Sequence, residues 1–181
     1  MTGRANVLVT GGAGFIGSHA CKALAAVGYR PVTLDNFSTG NRAAVKWGPC
    51  IDGDIRDTAL VQETLSSHRI TAVMHFAAKA YVGESVSNPG LYYDNNVGGT
   101  ISMLKACQLA GISKFIFSSS CATYGIPLHL PVVEATAQNP LSPYGRSKLI
   151  GEQMIRDHSA AHGLQHVILR YFNAAGADPM G

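Results

Sequence analysis

A glycine-rich stretch near the amino terminus constrains the fold of this chain more than any other segment. Residues 10–19 read TGGAGFIGSH, directly after the apolar run 6–9 and directly before a segment with helical spacing. The stretch satisfies both G-x-G-x-x-G and G-x-x-G-x-x-G, through Gly11, Gly12, Gly14 and Gly17. Glycine at a strand-to-helix turn permits a left-handed backbone angle, lets a phosphate touch the main chain and allows the helix to lie close to the sheet. The pattern predicts a turn that receives the phosphates of a dinucleotide on the free N–H groups of the helix.

An acidic residue after the next apolar run strengthens this interpretation, since a lone glycine-rich turn is common. Asp35 follows the run 31–34, about 20 residues beyond the glycines, where a ribose hydroxyl needs an acceptor. A carboxylate binds a free 2′-hydroxyl and repels a 2′-phosphate, so Asp35 favours NAD over NADP. Arg42, in the polar turn that follows, is the one feature that favours NADP.

The rest of the chain alternates between strand-like and helix-like segments. The predicted strands are 5–9, 31–34, 49–51, 72–76, 114–117 and 166–170. The predicted helices are 15–27, 58–67, 91–110 and 144–162, and residues 125–143, which are rich in proline, are predicted to be an irregular surface segment. Such alternation predicts an α/β fold: a Rossmann-like, doubly wound parallel sheet with helices on both faces, formed by a single domain over residues 1–181.

Composition excludes several classes of function. The chain has 181 residues, 46% of them hydrophobic and 14% charged, which is enough for a full core. Its formal charge of +3 comes from scattered basic residues, so we expect no nucleic-acid partner and no membrane partner. No apolar segment approaches the roughly 18 residues of a membrane span, and no signal-peptide pattern is visible, so we expect a cytoplasmic protein.

The cysteines and histidines do not indicate a metal site. Cys21, Cys50, Cys107 and Cys121 show no C-x-x-C spacing and are expected to be reduced and buried. The series His158, His162 and His166 has regular spacing, but Gly163 interrupts the helix and His166 belongs to the next strand. We therefore expect no metal.

A serine at a strand end and a tyrosine–lysine pair on a helix carry the predicted chemistry. Ser120 closes the triplet after the strand at 114–117, and Tyr144 and Lys148 are four residues apart, which places them on one helix face. An ammonium near a phenol favours the phenolate, so we expect a lowered pKa for Tyr144 and a base for an alcohol proton. With NAD as hydride acceptor, these groups predict oxidation of a secondary alcohol.

Several motifs together carry a family resemblance that covers nearly the whole chain. The motifs are TGGAGFIGSH, LDN, GDI, HFAA, VGESV, YYDNNVGGT, FIFSSSCATYG, SPYGRSK and LRYFNAAGA. The chain resembles the extended short-chain dehydrogenase/reductases, and among them the UDP-glucose 4-epimerase family. This resemblance implies NAD-dependent epimerisation at C4 of a UDP-hexose through a transient 4-keto intermediate, with NAD regenerated in each cycle.

The resemblance also assigns site residues. Tyr144 becomes the proton acceptor, Lys148 its partner and a ribose ligand, and Ser120 the hydroxyl on the 4-oxygen of the sugar. The positions implied to hold NAD are Gly11, Gly14, Phe15, Ile16, Gly17, Asp35, Asn36, Asp54, Ile55, Phe76, Ala77, Ala78, Asn95, Tyr144, Lys148 and Phe172. The UDP-sugar is implied to contact Asn173 as well as Ser120 and Tyr144.

Two departures from the family pattern stand out. Ala80 occupies a position where the epimerases commonly have lysine, with Lys79 one place earlier. Family members also continue beyond LRYFNAAGADPMG into a smaller substrate domain, so we expect a chain that ends before that domain and binds NAD with little turnover. The resemblance further implies a homodimer through the helices at 91–110 and 144–162.

Three alternatives remain to be weighed. Sugar-nucleotide 4,6-dehydratases share the fold and the Tyr/Lys pair but use an Asp-Glu pair where this chain has Cys121 and Ala122, which disfavours dehydration. Epimerases of UDP-xylose, UDP-arabinose or UDP-glucuronate stay open, since sugar specificity depends partly on residues outside this sequence. A non-catalytic NAD-binding module also stays open.

Overall fold

Six parallel strands form one sheet in the computed structural model, which describes residues 5–178. The strands are β1 (Asn6–Thr10), β2 (Arg30–Asp35), β3 (Cys50–Asp52), β4 (Ile70–His75), β5 (Lys114–Ser118) and β6 (Gln165–Leu169). Their order across the sheet is β3-β2-β1-β4-β5-β6. The predicted doubly wound α/β fold is confirmed, and every predicted strand is found within two residues of its expected bounds.

Helices cover both faces of the sheet. They are α1 (Phe15–Ala26), α2 (Thr58–Ser67), α3 (Val82–Ser87), α4 (Pro89–Tyr92), α5 (Gly99–Leu109) and α6 (Pro143–His162). Short 3₁₀ turns occupy Arg42–Ala44 and Cys121–Thr123. The predicted helices at 58–67 and 144–162 agree closely with α2 and α6, whereas α3 was not predicted.

Side chains alternate between two apolar cores because parallel strands are buried on both faces. Leu8 faces the larger core, which also contains Val73 of β4 and Phe117 of β5 and is covered by α2, α5 and α6. Val7 and Val9 face the smaller core beneath α1, with Cys21. Burial of this kind contributes roughly 25 cal/mol for each Å² of apolar surface removed from water.

The helix expected at 91–110 is interrupted near its start. The chain passes from α4 into a π-helical segment, Tyr93–Gly98, and only then into α5. A π-helical turn accommodates one more residue than an α-helical turn and is found frequently at functional sites. Here it buries Asn95 and Asn96, two polar residues that are adjacent in the sequence.

The sheet order creates a switch point at the centre of the molecule. β1 lies between β2 and β4. From β1 the chain continues to β2 and β3 on one side of it, and then crosses to β4 on its other side. In open α/β sheets, ligands bind at the carboxyl edge where the order reverses. The glycine turn after β1 and residues 76–79 after β4 lie at this edge.

The cysteines differ in part from expectation. Cys21 and Cys107 are buried, but Cys50 is exposed and Cys121 is half-buried, because β3 is a short edge strand and residue 121 begins a turn at the cleft. All four are free thiols. Within residues 5–178 no helix is long and apolar enough to cross a membrane. In the same range, no cluster of three His, Cys, Asp or Glu side chains offers a metal site.

Candidate active site

Close backbone packing explains the glycines of the turn after β1. Gly11 has a φ of 70°, and a Cβ there would lie 2.7 Å from the nitrogen of Ala77. A Cβ on Gly17 would lie 2.1 Å from the carbonyl oxygen of Gly11. Both distances exclude a side chain, so the turn brings α1 against the ends of β1 and β4 only with glycine at these positions.

The amino terminus of α1 lacks a capping side chain. Its N-cap is Gly14, and its first turn contains no acidic residue. By contrast, side chains of Asp57, Asn88 and Ser142 accept hydrogen bonds from the first turns of α2, α4 and α6. Backbone N–H groups at the start of α1 therefore remain for an anionic ligand, as the phosphate interpretation requires.

Asp35 lies where the dinucleotide interpretation needs an acceptor. Its Oδ2 accepts a 2.9 Å bond from the Ala13 N–H and its Oδ1 a 2.8 Å bond from the Phe37 N–H. A carboxylate has about four acceptor positions, so two remain for ribose hydroxyls. Arg42 does not contact Asp35: it pairs with Asp52 and stacks on Phe37, with its guanidinium carbon 3.8 Å from the ring centroid. The arginine that favoured NADP is thus engaged elsewhere.

Asp54 is the one predicted cofactor residue that does not line the cleft. Arg56 donates to it from Nε (2.9 Å), Nη2 (2.8 Å) and the backbone N–H (2.9 Å), and Asn36 donates from Nδ2 (3.1 Å). The side-chain hydrogen bonds from Arg56 hold the pKa of Asp54 well below its usual range. Its carboxylate is therefore occupied within the protein, while Asn36 and Ile55 beside it reach the cleft.

One cleft with two ends runs along the carboxyl edge of the sheet. The end near β2, an open space of about 550 Å³, contains the predicted residues Gly11, Gly14, Asp35, Asn36, Ile55, Phe76, Ala77, Ala78 and Asn95. The end near β5, about 1150 Å³, shares Gly11, Gly14, Phe76 and Ala78 and adds Phe15, Ile16, Gly17, Ser120, Tyr144, Lys148, Phe172 and Asn173. Every predicted site residue except Asp54 therefore lies along a single cleft.

Lys148 is buried and bound to the strand end rather than to the phenol. Its Nζ donates a 2.8 Å bond to the carbonyl oxygen of Ser118 and lies 6.0 Å from the ring centroid of Tyr144. Burial lowers the pKa of Lys148 to about 8. Burial also raises the pKa of Tyr144, an effect that the Ser120 hydroxyl partly offsets. The expected lowering of the Tyr144 pKa is therefore wrong, because desolvation of the phenol outweighs the effect of the distant ammonium.

Ser120 is oriented by its own backbone. Its Oγ accepts a 3.1 Å bond from the Ala122 N–H and caps the short turn Cys121–Thr123. The hydroxyl hydrogen is then free to point into the cleft beside Tyr144. Ser118 also lines the cleft, and its Oγ contacts the hydroxyl of Tyr171.

Tyr171 is a lining residue that sequence reasoning missed. It lies at the end of the cleft near β5, immediately before Phe172 and Asn173, which were predicted. Its position next to Phe172 and Asn173 in the sequence could have indicated that it also lines the cleft. Ala80, which stands where the epimerases commonly have lysine, lines this end as well. Lys79, one place earlier in the sequence, lines the opposite end, so the two residues face different parts of the cleft.

A buried histidine supports the π-helical segment from below. The Nδ1 of His75 lies 2.7 Å from the hydroxyl of Thr10, and its Nε2 lies 3.4 Å from the hydroxyl of Thr100. Thr100 donates its own hydrogen to the carbonyl oxygen of Asn96 (2.7 Å), so its oxygen accepts from Nε2 and the imidazole takes one tautomer. Burial lowers the pKa of His75 to about 3, which keeps it neutral. This chain of bonds fixes Asn96, whose Oδ1 accepts a 2.9 Å bond from Asn95 in the cleft.

Comparison with known proteins gives consistent matches. UDP-glucose 4-epimerase from Rhizobium leguminosarum bv. trifolii is 56% identical over 172 residues, covering 95% of this chain and 53% of that protein. The crystal structure of UDP-glucose 4-epimerase from Brucella ovis in complex with NAD superposes with a TM-score of 0.95 at 60% identity, over 96% of this chain and 54% of that one. The crystal structure of UDP-glucose 4-epimerase from Bifidobacterium longum in complex with NAD⁺ and UDP superposes with a TM-score of 0.93 at 40% identity. The match covers 97% of this chain and 56% of that one.

These matches confirm the family resemblance seen in the motifs. The chain spans about half the length of the relatives it matches. Residues 7–181 match the NAD dependent epimerase/dehydratase family, which accounts for nearly all of the sequence. The chain therefore belongs to the NAD dependent epimerase/dehydratase family.

Proposed function

We propose that this chain is the NAD-binding domain of an epimerase that inverts C4 of a UDP-hexose, interconverting UDP-glucose and UDP-galactose. The observation that carries the proposal is the arrangement of the cleft: Asp35 and the uncapped start of α1 lie toward one end, and Ser120, Tyr144 and Lys148 lie together at the other. The enzymatic identity of the relatives named above supports it.

The fit of NAD to the cleft rests on the chain's own groups. The two free acceptor positions of Asp35 suit the adenosine ribose, and the backbone at Gly11 and Gly14 leaves room for a pyrophosphate because neither residue has a side chain. When bound, NAD supplies a hydride acceptor and, in its oxidised form, a positive charge that favours the phenolate of Tyr144.

The catalytic residues would divide the remaining work. Tyr144 takes the proton of the 4-hydroxyl as the C4 hydrogen leaves with its electron pair, which gives a ketone at C4. Ser120 donates a hydrogen bond to the same oxygen. In the return reaction, Tyr144 would give the proton back to the oxygen at C4. Lys148 keeps positive charge near the strand end throughout.

Dehydration receives no support from the residues after Ser120. Cys121 and Ala122 line the cleft where a dehydratase needs an acid and a base, and neither performs that chemistry at neutral pH. A homodimer through α5 and α6 and a cytoplasmic location also belong to the proposal and remain predictions.

The experiment compares this 181-residue chain with one extended to the length of the relatives. We expect both to bind NAD by calorimetry and only the extended chain to convert UDP-galactose efficiently, with a difference on the order of a hundredfold or more. The reason is that Asn173 is the only residue predicted in this sequence to bind the substrate in addition to Ser120 and Tyr144. Positioning of the 4-hydroxyl depends on the binding energy of the whole substrate.

Each result is informative about a different part of the proposal. Equal turnover by the two chains would show that the substrate site is complete in this one. NAD binding without turnover of UDP-galactose, UDP-xylose, UDP-arabinose or UDP-glucuronate by the extended chain would favour a non-catalytic module.

A further inference from the structure

Glu152 of α6 is a charged residue that no catalytic role has yet used, although its side chain is completely buried. It follows Tyr144 and Lys148 at intervals of four residues, so the three lie along one face of the helix. A carboxylate at 0% exposure costs several kcal/mol unless hydrogen bonds compensate it. The hydrogen-bond partners of Glu152 therefore indicate which part of the structure the buried carboxylate stabilises.

Side chains from several segments of the chain donate hydrogen bonds to Glu152. Ser119 donates to Oε1 at 2.5 Å, and Arg170 donates from Nε to Oε1 at 2.8 Å and from Nη2 to Oε2 at 2.7 Å. Gln138 and Arg156 donate to Oε2 at 3.1 and 3.0 Å. Burial acts to raise the pKa of Glu152, but these hydrogen bonds, led by Arg170, outweigh it and keep the carboxylate ionised.

Two of these partners are direct neighbours of residues in the cleft. Ser119 lies between Ser118 and Ser120, which line the cleft, whereas its own hydroxyl binds Glu152. Arg170 immediately precedes Tyr171, whose carbonyl oxygen accepts a 3.1 Å bond from the Cys121 N–H.

We propose that Glu152 is a positioning residue, whose buried carboxylate holds Ser120 at its place beside Tyr144 by anchoring Ser119 and Arg170. This inference rests on the proposed function, since it concerns the same catalytic residues. It assigns a purpose to the serine triplet: the outer two face the cleft, and the middle one fixes their position.

The environment of Tyr144 defines what such positioning changes. Lys148 lies below the ring, the half-buried Cys121 and the phenol of Tyr171 approach from the strand ends, and Tyr92 packs edge-on at 6.4 Å. Among its neighbours, the Ser120 hydroxyl stabilises the phenolate by hydrogen bonding. Loosening Ser120 therefore raises the pKa of Tyr144 without removing any group that touches it.

The test uses the 181-residue chain with NAD and needs no turnover. The chain has 7 tyrosines. Each is replaced by 3-fluorotyrosine during expression, and the fluorine NMR signal of residue 144, identified by its loss in Tyr144→Phe, is followed against pH. Fluorination lowers the pKa of a phenol, which brings the titration into a range where the fold survives.

Two variants each remove one donor from the same carboxylate. Ser119→Ala breaks the link to the catalytic segment, whereas Arg156→Met removes a donor from the exposed side of α6. We expect an upward shift of the Tyr144 titration in Ser119→Ala, no shift in Arg156→Met, and unchanged NAD affinity in both. Glu152→Gln should shift the titration in the same direction as Ser119→Ala.

The control variant makes the result decisive. Equal shifts of the Tyr144 titration in Ser119→Ala and Arg156→Met would show a general loss of rigidity and overturn the inference. The absence of a shift in Ser119→Ala, or its absence in Glu152→Gln, would also overturn it. Because ionisation is observed directly, a failed epimerase assay would affect the proposed function and leave this result intact.

Discussion

The Nζ atom of Lys148 donates its hydrogen bond to the carbonyl oxygen of Ser118, at 2.8 Å, and not to the phenol of Tyr144. The ammonium is thereby bound to the end of β5, beneath the serines that line the cleft. Among residues 5–178, the carbonyl oxygen of Ser118 is the one hydrogen-bond acceptor of this buried ammonium.

Stability should depend on pH through Lys148. Burial lowers its pKa to about 8 from 10.5, so between these values the unfolded chain binds more protons than the folded chain. The free energy of unfolding should therefore rise with pH across that window, by up to about 3 kcal/mol, relative to the Lys148→Met variant. Urea denaturation from pH 7 to 10.5 measures this. Lys105→Met, which removes an exposed lysine of α5, should show no such difference, and equal slopes for all three chains would contradict the assignment.

Asp35 should determine the choice between NAD and NADP. Replacing it with alanine removes the proposed acceptor for the ribose hydroxyls, so NAD affinity should fall by about tenfold and the difference between the NAD and NADP affinities should narrow. Calorimetry with both cofactors gives the values. Glu63→Ala removes an exposed carboxylate on α2 and should change neither affinity. Tighter binding of NADP by the unmodified chain would reject the role of Asp35.

Tyr144→Phe should greatly reduce turnover while leaving the cofactor bound. The change removes the oxygen that is proposed to accept the proton and keeps the ring that Tyr92 contacts edge-on, so packing is preserved. In a chain extended to the length of the relatives, turnover of UDP-galactose should fall on the order of a thousandfold. Tyr29→Phe, at an exposed position, serves as the control. Substantial turnover by Tyr144→Phe would mean that another group is the base.

The glycine turn should tolerate no side chain at Gly17. The Cβ of Gly17→Ala would lie 2.1 Å from the Gly11 oxygen, so α1 must move away from the sheet. We expect a loss of roughly 2 kcal/mol or more in the free energy of unfolding and weaker NAD binding. Gly83→Ala places the same methyl group in open space on α3 and should change stability by less than about 1 kcal/mol. Similar behaviour of the two variants would disprove the packing argument.

The chain should associate through α5 and α6. Ile101 and Leu109 of α5 are exposed, and Ile101 lines a groove with Met154 of α6, which suits burial against a second copy. Sedimentation at micromolar concentration should show a dimer, and Ile101→Glu should give a monomer. Val27→Glu introduces the same charge at an exposed apolar position after α1 and should leave the dimer intact. A monomeric unmodified chain would contradict the prediction.

The sequence predicted best those features that depend on local pattern. The bounds of α2 agree with expectation because Asp57 caps its first turn, and the glycine turn follows from backbone sterics alone. What sequence could not predict depends on partners that are remote along the chain. The direction of Arg42 is determined by Asp52 on a neighbouring strand, and the pKa of Tyr144 depends on burial by segments that converge only in the fold.

The π-helical segment Tyr93–Gly98 sets the angular phase between the two halves of its helix. Each residue of an α-helix advances the side chains by about 100°. One extra residue in the wide turn therefore rotates α5 relative to α4, so that Tyr92 packs against Tyr144 and Asn95 lines the cleft, while Ile101 points outward. Deleting a single residue there would preserve the length of both helices but rotate the outer surface of α5 by about a quarter turn. The segment thus sets the orientation of the side of this helix that lines the cleft independently of the orientation of its exposed side.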